Sequence, residues 1–464
     1  MLMRVRALLA ALWSGFLLCV AGVAAPVAFG VLARPEAGRY VGRLFELDAQ
    51  LGLVLGLLLV MMERRVQRDA ESARITTPEL LLPLGALFCV VLAPFVGAFA
   101  DALPKGKVMF ISNAIKVVGC LMMLFGSHPL MAYAVVGLGA AAYSPAKYGI
   151  LTELLPASQL VKANGWIEGL TIASIILGVL LGGQLVGQHL SVLLLSIDIP
   201  LIDTGVDTAA ESAIAALILV YMVAAWFNTR IPHTGVEMRP LRTDPSRNVL
   251  ANTLALLPDF WACNNRLWRD KLGQISLSTT TLFWGAGGNL KFIVLAWAAV
   301  ALGYNTTQAS ALTGVVAIGT AVGAVVASMR MRLDAATKVI PLGTAMGLLL
   351  MLMVFIDNIW LAIPLLISMG GLGGYLVVPM HALLQHRGHN LMGAGRSIAV
   401  QNFNEQACIL GLGAFYSLSL KLGLSVFGAI TAFGLAVAGM MWLIQRWHCH
   451  NCNRHAEEIG RAHV

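Results

Sequence analysis

Two lysines stand where a membrane protein can least tolerate them. Lys147 lies in AAAYSPAKYGILTELLP (140–156), two residues after Pro145, and Lys291 lies in LFWGAGGNLKFIVLAW (282–297). A lysine in hydrocarbon costs about 2.5–3.5 kcal/mol even on the lenient insertion scale, and an internal proline removes a helix hydrogen bond. Such residues are expected to face a bundle interior or an aqueous path and to bind something there. The alternative for each is snorkelling to an interface. Neighbouring polar groups extend the set: Asn289 beside Lys291, Tyr143 one turn before Lys147, and Gln401, Asn404 and Glu405 in GRSIAVQNFNEQACIL (395–410). At helical spacing the last three are predicted to share one face, as a cavity lining or, alternatively, as helix-packing hydrogen bonds. Lys116 reads as readily structural as substrate-binding, and Glu168 reads as a gate or loop-packing residue. This is chemistry of recognition rather than bond making. No P-loop, zinc-protease motif, nucleophile elbow or dinucleotide fingerprint occurs, so an enzyme is not expected, nor a cofactor.

The elements that must position these residues follow from composition. The chain has 464 residues, 58% hydrophobic and 12% charged, with mean hydropathy +0.80. Soluble domains carry about 25% charged residues, so an all-α polytopic membrane protein is expected. Net charge +8 then reads as basic loops rather than as a nucleic-acid footprint. The seven cysteines imply no disulfide framework, because four lie in apolar segments where cysteine packs as a small core residue. The tail WHCHNCNRH (447–455) holds a C-x-x-C, but an incidental solvated tail is the better reading, and no metal is expected.

A span needs about 20 mostly apolar residues. Eleven are predicted: 80–100, 108–126, 130–152, 165–187, 209–228, 274–303, 309–328, 338–356, 359–384, 394–420 and 425–444. Connections alternate between basic ones and neutral or acidic ones. Lys105 and Lys107 mark one basic turn, seven Arg and Lys the stretch 229–272, and Asp198, Asp203 and Asp207 an acidic loop. By the positive-inside rule the 229–272 stretch and the C-terminus are cytoplasmic. One further helix preceding residue 80 makes two six-helix halves, the layout of major facilitator carriers. The domains expected are a segment 1–79, an N-terminal half 80–228, an inter-half loop 229–272, a C-terminal half 274–444 and a basic tail 445–464.

Residues 1–79 break the pattern. Apolar runs 7–31 and 51–62 are separated by arginines on what should be the outer side, and the segment holds nine arginines and no lysine. Altered coding sequence, such as a shifted reading frame, is one expectation. The other is a lineage-specific N-terminus with a signal-like helix.

The blocks FVGAFADALPKGKVMF, GAAAYSPAKYGILTELLPASQLVKANGWIEG, LFWGAGGNLKF and VVPMHALLQHRG…GAGRSIAVQN strongly resemble the bacterial lysophospholipid transporter family of the major facilitator superfamily, from about residue 80 to 445. Gly97, Asp101, Gly106 and Lys107 are similar to the superfamily's acidic–basic loop between its second and third helices, which implies a conformational latch. The resemblance also implies an inner-membrane carrier that brings lysophosphatidylethanolamine-like lipids to the cytoplasmic leaflet. A cytoplasmic acyltransferase–acyl-carrier-protein synthetase, a possible partner, then restores the missing chain. The substrate is a lysophospholipid, membrane lipids surround it, and no nucleic acid is involved. Lys147 and Lys291 would then bind the phosphate, where low dielectric strengthens the attraction. Asn289, Gln401 and Asn404 would bind glycerol or phosphate oxygens, and Glu405 the ammonium. The family's first helix carries an Asp-Asn pair, and nothing in 1–79 matches it. The rival readings are an exporter of amphipathic or anionic small molecules, and a non-transporting scaffold for the acyltransferase.

Overall fold

The computed structural model describes residues 91–125, 129–186, 208–236, 238, 252 and 254–455. The expectations for 1–79 lie outside the described residues. All the described helices belong to one compact unit, Pro83–Val464. They are α1 (Val91–Ala102), α2 (Lys105–Leu124), α3 (Pro129–Leu154), α4 (Ala157–Val186) and α5 (Ala209–Asn228). After the middle stretch come α6 (Leu256–Arg269), α7 (Gly273–Ala301), α8 (Thr306–Arg330), α9 (Ile340–Leu352), α10 (Ile359–Met392), α11 (Ala394–Lys421) and α12 (Val426–Arg454). Seven helices among the described residues are long and apolar enough to cross a membrane. Of the others, α3, α4 and α11 have 26, 30 and 28 residues. They carry Lys147, Glu168 and the Gln401–Glu405 group. The outward face of α5 exposes Leu217, Leu219, Val220, Met222 and Val223, a surface that water would penalise and lipid accepts.

The chain reverses at each short connection. Lys105, Lys107, Arg330, Arg332, Arg387 and Arg396 therefore collect at one end of the bundle, called the basic end below. In the first half, α2 packs on α3 and α5; in the second, α7 packs on α11, α8 on α10 and α9 on α12. The halves meet through α4 against α8 and through α3 against α11. Glycines set how closely helices approach. A Cβ on Gly374 of α10 would land on the backbone of Thr320 in α8, so only a missing side chain permits that crossing.

Four boundaries differ from the sequence reading. The 229–272 stretch is not all loop, because α6 buries Phe260, Cys263 and Leu267 along one stripe while leaving Arg266 and Arg269 exposed. Helix α12 runs to Arg454, so the first part of the basic tail is helical. Helix α4 begins at Ala157, a full two turns before its apolar run. The predicted span 338–356 opens earlier, as a 3-10 turn over Leu333–Val339.

Candidate functional site

Three polar layers join the halves, stacked from the basic end toward the middle of the bundle. The outermost is built on a helix that cannot cap itself. Gly393 closes α10 and opens α11 with φ 97°, a conformation that L side chains rarely adopt. Having no side chain, it leaves the first amides of α11 without a cap, four donors in need of acceptors. Asp101, at the end of α1, supplies the missing carboxylate from the other half. The Gly395 amide donates to its Oδ1 at 2.6 Å and the Arg396 amide to its Oδ2 at 3.0 Å. An anion here also meets the positive end of the helix dipole. Arg396 adds a guanidinium contact at 3.5 Å and donates through Nε to Asp259 of α6 at 2.8 Å. Lys105 Nζ lies 3.0 Å from Asp101 and 3.2 Å from Glu153 of α3, and donates to the Ala100 carbonyl at 2.6 Å. Gly97 lets α1 come this near: a Cβ there would overlap that of Ala399. Beside the latch, Arg387 of α10 grips Asp270 through Nε at 3.2 Å and through Nη2.

The next layer is a polar stripe on α10. His381, Gln385 and His389 recur every four residues and so stand on one face. Gln385 and Asn164 of α4 exchange two amide hydrogen bonds of 2.9 Å each. His389 Nδ1 lies 3.3 Å from the Thr152 hydroxyl of α3. About one turn beyond the level of His381 along α3, Asn402 of α11 donates to Ser144 at 3.1 Å.

The innermost layer centres on His381. Glu168 of α4 lies 3.7 Å from its Nδ1 and Glu405 of α11 lies 3.4 Å from its Nε2. Trp284 of α7 donates to Nε2 at 3.0 Å, and the Gln401 amide nitrogen lies 3.1 Å from the same atom. Gln401 also donates to Glu405 at 2.8 Å, and Tyr148 of α3 donates to Glu168 at 3.0 Å. His381, Glu168, Glu405 and Gln401 are all buried. Five helices from both halves therefore meet at a sealed polar plane.

The two lysines stand beyond that plane. Lys147 Nζ donates to Thr171 at 2.9 Å, and Thr171 lies one turn past Glu168 on α4, away from the basic end. On α7, Lys291 follows Trp284 by seven residues, so it sits on the same face about 10 Å further along. Lys291 is exposed, and a Cβ at Gly287 between them would meet nothing within 4 Å. Each half thus carries one lysine farther from the basic end than the His381 plane.

The other sequence candidates divide. Gln401 and Glu405 join the His381 plane, and Glu405 is already engaged by Gln401 and His381. Tyr143 holds Lys116 over its ring, 4.4 Å from Nζ, with Tyr221 at 5.3 Å on the other side. Asn404 does not share the face of Gln401. It turns to α6, donating to Asn264 at 2.9 Å and accepting from Trp268 at 3.3 Å, because the helix advances 100° per residue and α6 lies on that side. Asn289 binds two helix carbonyls, Gly285 at 2.8 Å and Ile409 of α11 at 2.9 Å, and so ties α7 to α11. Of the four residues of the acidic–basic loop, Asp101 and Gly97 pack against α11 and Gly106 packs against the Asn228 carbonyl. Lys107 is exposed; Lys105, one turn from Asp101 along the chain, takes the ion pair expected of it. The sequence does not mark out His381, Trp284 or Tyr148 by a family motif, although MHALLQHRGH carries polar residues four apart at 381, 385 and 389.

Comparisons with known proteins agree with this architecture. The Major Facilitator Superfamily matches residues 70–411, and a domain of unknown function (DUF4149) matches residues 8–99. The second match spans most of the stretch 1–79 that breaks the span and charge pattern. The lysophospholipid transporter LplT of Yersinia enterocolitica (serotype O:8 / biotype 1B) is 41% identical over 338 residues, covering 73% of this chain and 77% of the relative. That of Yersinia pestis (strain Pestoides F) is 39% identical over 343 residues, covering 73% and 76%. Among solved structures, the human organic anion transporter MFSD10 (TETRAN) superposes with TM-score 0.59 at 14% identity, covering 95% of this chain and 98% of that one. The transporter FucP in its outward conformation gives 0.57 at 13%, covering 81% and 91%. An all-helical bundle of this connectivity, with relatives this similar over most of its length, has one placement: the chain belongs to the lysophospholipid transporter LplT family of the major facilitator superfamily.

Proposed function

We propose that this protein is a secondary carrier that moves lysophospholipids across the bacterial inner membrane to the cytoplasmic leaflet by alternating access. One observation carries the reading: a lysine from each half, Lys147 and Lys291, stands above a floor that the two halves close together. A lysophospholipid head brings a phosphate, and two ammonium groups in a low-dielectric space attract it far more strongly than water-exposed lysines could. The single acyl chain needs only apolar walls. With the basic end facing the cytoplasm, as the positive-inside rule requires, the latch and the His381 plane close the inner side and the lysines face outward. Rocking the halves about this site releases the head inward. In this reading, re-acylation is done by a separate acyltransferase–acyl-carrier-protein synthetase that meets the cargo at the cytoplasmic face.

Uptake of labelled lysophosphatidylethanolamine into spheroplasts tests the assignment. Lys147→Ala and Lys291→Ala are each expected to lower uptake at least tenfold, since a charge-assisted contact contributes about 1.5–3 kcal/mol. Normal uptake by both variants would sink the lysine assignment.

A further inference from the structure

His381 carries a conflict that its hydrogen bonds expose. An indole N–H can only donate, so the Trp284 contact at 3.0 Å requires a lone pair on His381 Nε2. Glu405, 3.4 Å from the same nitrogen, calls for a proton on it. Both demands cannot be met at once. With Nε2 unprotonated, the ring proton is on Nδ1, which faces Glu168 at 3.7 Å but has no hydrogen-bond partner. The buried Oε1 of Gln401 is likewise without a partner beside the ring. The site is therefore under-satisfied in its neutral form, and a second ring proton, on Nε2, would find Glu405 as its acceptor while displacing the indole donor of Trp284.

Charge points the same way. Neutral His381 leaves Glu168 and Glu405 as two buried carboxylates with Lys147 as the nearest cation, a net charge of −1 in a sealed plane. Protonated His381 brings the group to zero. An uncompensated buried charge is expensive, and a paired one much less so. The groups facing the imidazole are Tyr148 on α3, Glu168 on α4, Trp284 on α7, and Gln401 and Glu405 on α11, with Cys408 one turn beyond. Helices α8 and α9 bring no ionisable side chain to it, the only one on either being Arg330 at the basic end of α8.

We propose that His381 is a proton-binding site that closes the inner gate: the imidazolium bridges Glu168 of one half to Glu405 of the other. The proton is taken from solvent as the halves close and returns to the basic face as they part, when Glu168 and Glu405 regain water. Because the closed form gives the imidazolium two carboxylate partners, it binds the proton more tightly than the open form. Lower pH therefore favours closure and higher pH favours opening. This deepens the alternating-access reading but does not depend on which lipid is carried.

The test uses the full chain in nanodiscs without substrate, with its native cysteines replaced. Spin labels go on Lys162 of α4 and Asn390 of α10, both exposed at the basic end in opposite halves. Between pH 5.5 and 8.5 the distance distribution is expected to move from one short population to a mixture with a longer one. In His381→Gln that response is lost. Trp284→Phe keeps the histidine and frees Nε2 from its competing donor, so the transition is expected to move up by about one pH unit, the tenfold that one hydrogen bond contributes. A response in His381→Gln equal to that of the unsubstituted chain overturns the proposal, and so does a pH-independent distance in the unsubstituted chain. Lipid uptake, measured separately, decides the carrier reading whatever the distances show.

Discussion

At position 101 one carboxylate serves four groups: two amides at the start of α11, the guanidinium of Arg396 and the ammonium of Lys105. Asparagine removes the charge and leaves one acceptor oxygen for the two amides, so the ion pairs and one helix-start hydrogen bond are lost together. Asp101→Asn is expected to weaken the closed latch by about 1.5 kcal/mol. Arg396 also holds α6 through Asp259, so loosening it frees α6 and its buried Cys263. Maleimide labelling of Cys263, followed by peptide mass mapping, is expected to run about tenfold faster in the variant; an unchanged rate would separate Asp101 from gating. The sequence makes Asp101 legible because the acidic–basic loop is a local pattern. It hides the true basic partner, because Lys105 and Lys107 are equally near in sequence and only the turn into α2 buries one of them. His381 is harder still. A histidine in a largely apolar helix reads as packing until the carboxylates of α4 and α11 are seen on either side of it.

Among the helices, α7 and α11 illustrate how a polar residue in an apolar segment can mislead. Asn289 sits beside Lys291 in sequence, yet its amide binds the Ile409 carbonyl of α11 and its Oδ1 lies against Gly413. That is a packing contact, of a kind that contributes about 0.6–1.7 kcal/mol in membranes. Asn289→Ala is therefore expected to lower the thermal unfolding temperature in detergent while leaving the KM for lysolipid unchanged. A raised KM with unaltered stability would return Asn289 to the substrate site. Hydropathy located the long helices because each must bury its backbone in lipid. It missed α6, whose apolar residues Phe260, Cys263 and Leu267 follow helical spacing within a polar average. Spacing rather than mean hydropathy was the signal there. The same averaging shortened α12 and α4, whose ends project beyond the apolar layer.

For the molecule as a whole, the Asp101 cluster and the His381 and Gln385 contacts lie on the basic side of Lys147 and Lys291, and the Asn402–Ser144 bond joins the halves about one turn beyond Lys147. The paired-half layout could be read from span count and loop charge. The polar floor could not, because it is assembled from helices distant in sequence and facing one another only once folded. The central claim, that this chain carries lysophospholipids, is tested most directly by reconstituting the purified full chain in liposomes and timing the inward movement of fluorescent lysophosphatidylethanolamine. Saturable movement at least tenfold faster than in protein-free liposomes, and reduced to near that background by Lys147→Ala with Lys291→Ala, is the expected result. Movement no faster than in protein-free liposomes, from protein whose helical content and unfolding transition are intact, would contradict the account.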